Sequence, residues 1–211
     1  MRHFLYFLTF SGIVLAADIM GSVKNMVTQA PASDVLVWLE SESFAKAEPV
    51  TAEMRQLDKE FHPRHLLVPI GSTVYFPNED PFFHNIFSHN AIQKLELGQY
   101  KGQSEPVTFE KAGIYPIGCE IHPWMAAHIL VVDTPFYTAS DDQGKFSFSG
   151  VPEGKFKLHY WTADMRETQV RDFEVKPSRN VAFLTIESKM LKRKKREDTP
   201  VSRDVPAGAY D

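Results

Sequence analysis

The residues best equipped for chemistry sit in one short run. Cys119-Glu120-Ile121-His122-Pro123-Trp124-Met125 places a thiol, an imidazole and a thioether in the order Cys-x2-His-x2-Met. Upstream, a second imidazole, His84, follows the turn-forming residues Asn78-Glu79-Asp80-Pro81. Copper takes one thiolate and two imidazoles in a near-trigonal plane, with a long, weak thioether on the axis. The sulfur ligands suit Cu(I), and imidazole suits both oxidation states, so an electron can move with little rearrangement. Zinc prefers a tetrahedral set without thioether. Taken singly, each residue is unremarkable: a lone Cys is most often a small buried hydrophobe, and a lone Met fills core. Together, three soft or borderline ligands fall within seven residues, just ahead of the apolar segment His128–Val132. That combination, with His84, points to a mononuclear copper site on His84, Cys119, His122 and Met125.

Such ligands need rigid elements to hold them, and the rest of the chain reads as short strands. Alternating or β-branched and aromatic runs recur at Ile19–Val23, Val35–Leu39, His65–Val68, Thr73–Phe76, His84–Phe87, Pro106–Phe109, Gly113–Ile117 and His128–Val132. Four more follow at Lys145–Phe148, Lys155–Trp161, Gln169–Val175 and Val181–Ile186. Turn residues lie between them, as in Pro69-Ile70-Gly71-Ser72 and Asp141-Asp142-Gln143-Gly144. With 14 prolines spread along the chain, long helices are disfavoured, and only Val50–Leu57 reads as helical. The expected class is all-β, built from β-sandwiches. Nucleotide-binding glycine loops, HExxH and nucleophile elbows are all missing from the sequence.

The segment Thr51–Thr134 resembles the cupredoxins, and within them the plastocyanin and amicyanin group. The supporting residues are Val68-Pro69-Ile70-Gly71-Ser72-Thr73-Val74-Tyr75-Phe76-Pro77-Asn78-Glu79-Asp80, His84-Asn85 and Phe109-Glu110-Lys111-Ala112-Gly113-Ile114-Tyr115-Pro116-Ile117-Gly118-Cys119. The resemblance implies a Greek-key sandwich holding one blue, type 1 copper. It implies the same four ligands, His84, Cys119, His122 and Met125. Asn85, directly after the first His, matches the residue that ties the two ligand loops together near the thiolate. The two-residue gap between His122 and Met125 matches the shorter, amicyanin-like loop. Where the family carries an aromatic residue before the Cys, this chain has Gly118, so the resemblance does not extend to an aromatic neighbour of the thiolate.

A second resemblance lies further on. Asp141-Asp142-Gln143-Gly144-Lys145-Phe146-Ser147-Phe148-Ser149-Gly150-Val151-Pro152-Glu153-Gly154-Lys155-Phe156 is similar to the carboxypeptidase regulatory-like, transthyretin-type β-sandwich. That family's two opening strands look like Gly21-Ser22-Val23 and Asp34–Glu40, which precede the copper segment. The expected organisation is therefore nested. A cupredoxin domain at 49–134 is inserted in a smaller sandwich made of 17–48 with 135–188. The regulatory-like name implies no peptidase, and a single copper with four protein ligands leaves no open position for a substrate. The expectation is a non-enzyme.

Arg2-His3 followed by the apolar run Phe4–Ala16 reads as a signal peptide at 1–16, with cleavage after Ala16. The run is too short to span a bilayer, so no membrane span is expected in the mature chain. The single cysteine excludes an intrachain disulfide, and an exported thiol is normally protected, here by a metal. The formal charge of −4 argues against a dedicated nucleic-acid partner. Residues 17–188 carry 15 Lys and Arg against 23 Asp and Glu, whereas 189–211 carry 7 against 4. That asymmetry reads as an acidic folded body with a basic disordered tail at 189–211. The functional expectation is a periplasmic or secreted electron carrier meeting redox protein partners transiently, docking through an apolar patch containing Pro123 and Trp124. The alternative is copper storage or delivery by the same ligands. His62, His65, His89, His128 and His159 carry no ligand pattern.

Overall fold

In the computed structural model, residues 16–43, 46–165, 167–177 and 180–186 are described. The expected signal peptide at 1–16 lies outside these residues except for Ala16, and the expected basic tail at 189–211 lies wholly outside them. Strand-forming alternation accounts for the elements. In the segment Asn180–Ile186, for example, Asn180, Ala182, Leu184 and Ile186 are buried while Val181, Phe183 and Thr185 are exposed.

The protein is all-β, and no helix occurs among the described residues. The strands are β1 (Ala16–Asn25), β2 (Leu36–Glu40), β3 (Thr51–Glu53), β4 (Arg55–Leu57), β5 (Glu60–His62), β6 (His65–Pro69), β7 (Ser72–Tyr75), β8 (His84–His89) and β9 (Lys94–Tyr100). They continue as β10 (Val107–Phe109), β11 (Gly113–Gly118), β12 (Ala126–Val132), β13 (Tyr137–Ala139), β14 (Lys145–Pro152), β15 (Gly154–Trp161), β16 (Gln169–Val175) and β17 (Asn180–Ile186). Strands β3 to β12 pair only with one another, as the sheets β6-β12-β11-β8-β9 and β10-β7-β3 and the hairpin β4-β5. The flanking strands form β14-β1-β17 and β13-β2-β15-β16. Thus β1 lies parallel to β17, with Ile19 opposite Asn180 and Asn25 opposite Ile186, across nearly the whole described chain.

Each set of sheets encloses its own apolar core. Phe76, Ile86, Phe109, Tyr115 and Ile129 are fully buried in one. Ile19, Val35, Leu39, Leu158 and Leu184 lie in the other. A third, smaller cluster joins Leu36 and Trp161 to Leu130 and Val132, so β2 and β15 pack against β12.

The helical expectation for residues 50–57 is not met. That segment forms β3 and β4, with β3 parallel to β7 and β4 antiparallel to β5. Met54 and Gln56 are fully buried while Glu53 and Arg55 are exposed, a period of two rather than 3.6. Strands β5, β9 and β13 also appear where the sequence suggested none. In β9 only Leu95 is buried, so its pattern is too weak to read.

Candidate metal centre

Two neighbouring strands and one loop build the centre. His84 opens β8, and Cys119 directly follows β11. These strands pair antiparallel, with Gly118 opposite Phe87, so the first imidazole and the thiol arrive from neighbouring strands of one sheet. The loop from Cys119 to Met125 then returns into β12, which pairs along the full length of β11. The Met125 N–H donates to the His122 carbonyl at 2.9 Å, closing the loop.

The side chains converge. His84 Nδ1 lies 3.8 Å from Cys119 Sγ and 3.0 Å from His122 Nδ1, and Cys119 Sγ lies 4.0 Å from His122 Nδ1. All three donor atoms fit within 4.8 Å of one another. Cys119 and Met125 are buried, His84 is fully buried, and His122 is half-buried at the rim. One soft thiolate and two imidazole nitrogens in this spacing match the donor preferences of copper. The cluster is compatible with a type 1 copper site. Among the described residues, no other group of three or more His, Cys, Asp or Glu donors converges in this way.

Surrounding contacts fix the donors' directions. Asn85 Oδ1 accepts from the Glu120 N–H at 2.9 Å and from the Cys119 thiol at 3.4 Å. Its Nδ2 donates to the Glu120 carboxylate at 2.9 Å. One amide therefore couples β8 to the ligand loop. A second coupling was not legible as such in the sequence. The Asp80 carboxylate lies 2.8 Å from His84 Nε2 and accepts from the backbone N–H groups of Asp58 and Lys59 at 2.8 and 2.9 Å. A carboxylate at Nε2 favours the His84 tautomer that carries its proton there, which leaves Nδ1, the nitrogen facing Cys119 and His122, free to ligate. Burial pushes the Asp80 carboxyl up, but the bonds from His84, Lys59 and Asp58 outweigh it and hold it below the usual carboxylate range. Asn78 anchors this turn, donating to the carbonyls of Phe82 and Tyr100, both at 2.9 Å. In the sequence, Asn78–Pro81 carries only a turn signal; the available hint was a carboxylate one helical-turn length before a candidate ligand His.

Phe87 is the other residue the sequence did not single out. Its ring lies over Gly118, where a Cβ would fall 2.7 Å from Cζ. The ring thus covers the backbone next to the thiol from the neighbouring strand, and it in turn contacts His89, at 5.0 Å between centroids. Pro123 and Trp124 are exposed, and the Trp124 ring stands edge-on to His122 at 5.3 Å. The remaining histidines lie elsewhere. His89 is exposed at the far end of β8. His65 and His128 stack on each other at 5.4 Å beside Trp161, and His159 stacks on Trp38 at 5.0 Å. Burial, helped by the charges of His65 and Arg64, pushes the His128 pKa down to about 4.

No family model and no curated protein matches the chain. Solved structures match part of it. A copper-containing nitrite reductase from Thermus scotoductus is 25% identical with a TM-score of 0.38, over 44% of this chain and 25% of that one. A purple cupredoxin from Nitrosopumilus maritimus is 23% identical with a TM-score of 0.35, over 38% of this chain and 99% of that one. Amicyanin from Paracoccus versutus is 23% identical with a TM-score of 0.36, over 46% of this chain and 97% of that one. The matched part thus spans only a quarter of the reductase.

Proposed function

We propose that this protein is an exported blue-copper protein that carries single electrons between redox partners. The observation that carries the reading is the convergence of His84 Nδ1, Cys119 Sγ and His122 Nδ1 in a largely buried cluster. Met125, buried at the end of the same loop, would add its thioether sulfur to the donor set. Copper held there would supply reversible one-electron exchange at a thiolate-bound centre. The chain's own contribution is preorganisation. Asp80 holds one imidazole, Asn85 ties the loop beside the thiolate, and the core around Phe76, Ile86 and Tyr115 keeps water from the buried side. Half-buried His122 is the one proposed ligand near solvent, so its edge, beside Trp124, is where electrons would enter and leave. The charged start and apolar run before Ala17 support export.

The domain division is part of the same proposal: a copper domain at 49–134 inserted in a sandwich of 17–48 and 135–188. The exclusive pairing of β3 to β12 with one another supports it, as does the pairing of β1 and β2 with β13 to β17. The smaller sandwich serves as a structural or docking module.

Addition of Cu(II) to the purified mature protein tests the centre. An intense absorption band in the red is expected, and the protein should cycle between oxidation states without losing metal. Cys119→Ser should keep the circular dichroism of the fold and lose that band, which arises from thiolate-to-copper charge transfer. A variant that stays intensely blue would move the thiolate assignment elsewhere, and metal loss on reduction would favour delivery over electron transfer.

A further inference from the structure

We propose that the junction between the copper domain and the flanking sandwich is an acid-operated latch, closed on the stacked neutral imidazoles of His65 and His128 and released when His128 is protonated. The inference rests on the domain division proposed above and is independent of the copper reading.

The latch lies on the outer face of β12. Ala127, Ile129 and Val131 point into the core of the copper domain, so Ala126, His128, Leu130 and Val132 point away from it. Leu130 and Val132 are buried instead against Leu36 and Trp161 of the sandwich. Strands β6 and β12 run parallel, with His65 directly opposite His128. The two rings stack at 5.4 Å between centroids and 22° between planes. From the other domain, the Trp161 ring closes edge-on over both, 4.9 Å from His128 and 6.4 Å from His65. Trp161 is only 6% exposed there.

This arrangement accepts a neutral His128 and resists a charged one. Its Nδ1 is buried and has no hydrogen-bond partner among the described residues, so a proton there would be a donor without an acceptor. Two imidazolium rings facing each other across paired strands would also repel. Burial first, then the charges of His65 and of Arg64 just ahead of β6, push the His128 pKa down to about 4. The other elements around it add little charge. Strand β11 presents Pro116 opposite His128. Strand β5 carries Glu60 and His62, and β15 carries His159, which lies 2.8 Å from Glu40. Burial pushes the Tyr137 phenol up, so it stays neutral. Glu60 and Asp164 are exposed and Glu40 is held by His159, so the cationic neighbours set the field at His128.

Freed from the junction, the imidazole returns to about 6.5. The open form therefore takes up the proton first as pH falls. Closure is undiminished above a pH of about 6.5 and weakens progressively down to about 4. The open-to-closed ratio should rise about 20-fold from pH 7 to pH 5, and about 100-fold by pH 4. Release uncovers Leu130, Val132 and Trp161.

The test uses the full mature chain loaded with copper. Hydroxyl radicals from X-ray radiolysis of water oxidise exposed side chains, and mass spectrometry counts the products. Trp124, 50% exposed on the copper domain, is the internal standard for Trp161. From pH 7 to pH 4 the Trp161-to-Trp124 ratio should rise several-fold, together with oxidation of Leu130. His128→Phe keeps a ring against Trp161 but takes no proton, so its ratio should stay flat. His128→Lys carries a charge throughout and should show the raised ratio already at pH 7; should that variant fail to fold, the His128→Phe comparison decides. A native ratio that ignores pH, or an equal rise in His128→Phe, would overturn the latch while both cores stay protected and the domain division stands. Radicals reaching Phe76 and Leu158, one in each core, at the same pH as Trp161 would mean that the chain opens as one unit, and the domain division would fall with the latch.

Discussion

Asp80 shows how one side chain can set the character of a metal centre without touching the metal. Its carboxylate is almost shielded from solvent and lies against the far nitrogen of His84. A fixed negative charge one imidazole ring away, roughly 6 Å, interacts with an extra positive charge by about 2–3 kcal/mol at an effective dielectric near 20. That stabilises the oxidised centre. Asp80→Asn should therefore raise the reduction potential, on the order of 100 mV for one electron, while Asn85 and the ligand loop keep the band in the red. Potentiometric titration of native and variant protein reads this directly. Equal potentials would mean that Asp80 serves only to hold the turn between Asn78 and His84.

At the scale of elements, the contact between β8 and β11 beside the thiol leaves no room for a side chain at Gly118. A Cβ there would lie 2.7 and 2.9 Å from Cζ and Cε1 of Phe87, closer than real Cβ contacts allow. The obstacle is the far end of a half-buried ring, which can swing aside at moderate expense. Gly118→Ala is expected to destabilise the fold by about 1–3 kcal/mol. In a Phe87→Ala background the same change should cost markedly less, a coupling that urea-unfolding midpoints of the four proteins would expose. Additive effects would show that the ring is not what excludes a side chain. The element that sequence pattern misread belongs to this scale too. Thr51 to Leu57 lacks turn residues and has good helix formers, yet its partners β7 and β5 lie nearby in space and supply strand hydrogen bonds. Tertiary pairing overrides a weak local preference.

For the whole molecule, the two separate cores and the small junction between them bear on how the chain could be divided. Under the nested arrangement, residues 49–134 alone are expected to fold cooperatively and give the visible band, because β3 to β12 and the copper site are complete within them. Residues 135–188 alone should not fold. Without β1 and β2, strands β14, β17 and β15 would lose their central partners and expose sheet edges and an apolar face. A cooperative unfolding transition from the isolated 135–188 fragment would argue for a linear pair of domains. Cutting at this junction also exposes Leu130 and Val132, so the isolated copper domain should be less stable than it is in the full chain.

Some of this was legible from residues alone. Cys119, His122 and Met125 are close in sequence, and soft donors at short spacing have a restricted chemistry, so the kind of site could be read before any fold was known. The all-β class was likewise carried by local alternation and turn residues. Other features depended on distance in space. Nothing local to Asp80 reveals that its oxygens gather His84 with two N–H groups from the β4–β5 turn. Nothing near Gly118 announces that Phe87 will lie over it, nor that Lys59 and Lys101 will settle on Phe82 and Phe83. Ligand identity follows from the chemistry of single side chains at short range, which a sequence displays. The partners of each ligand follow from which strands become neighbours, and only packing of the whole chain decides that.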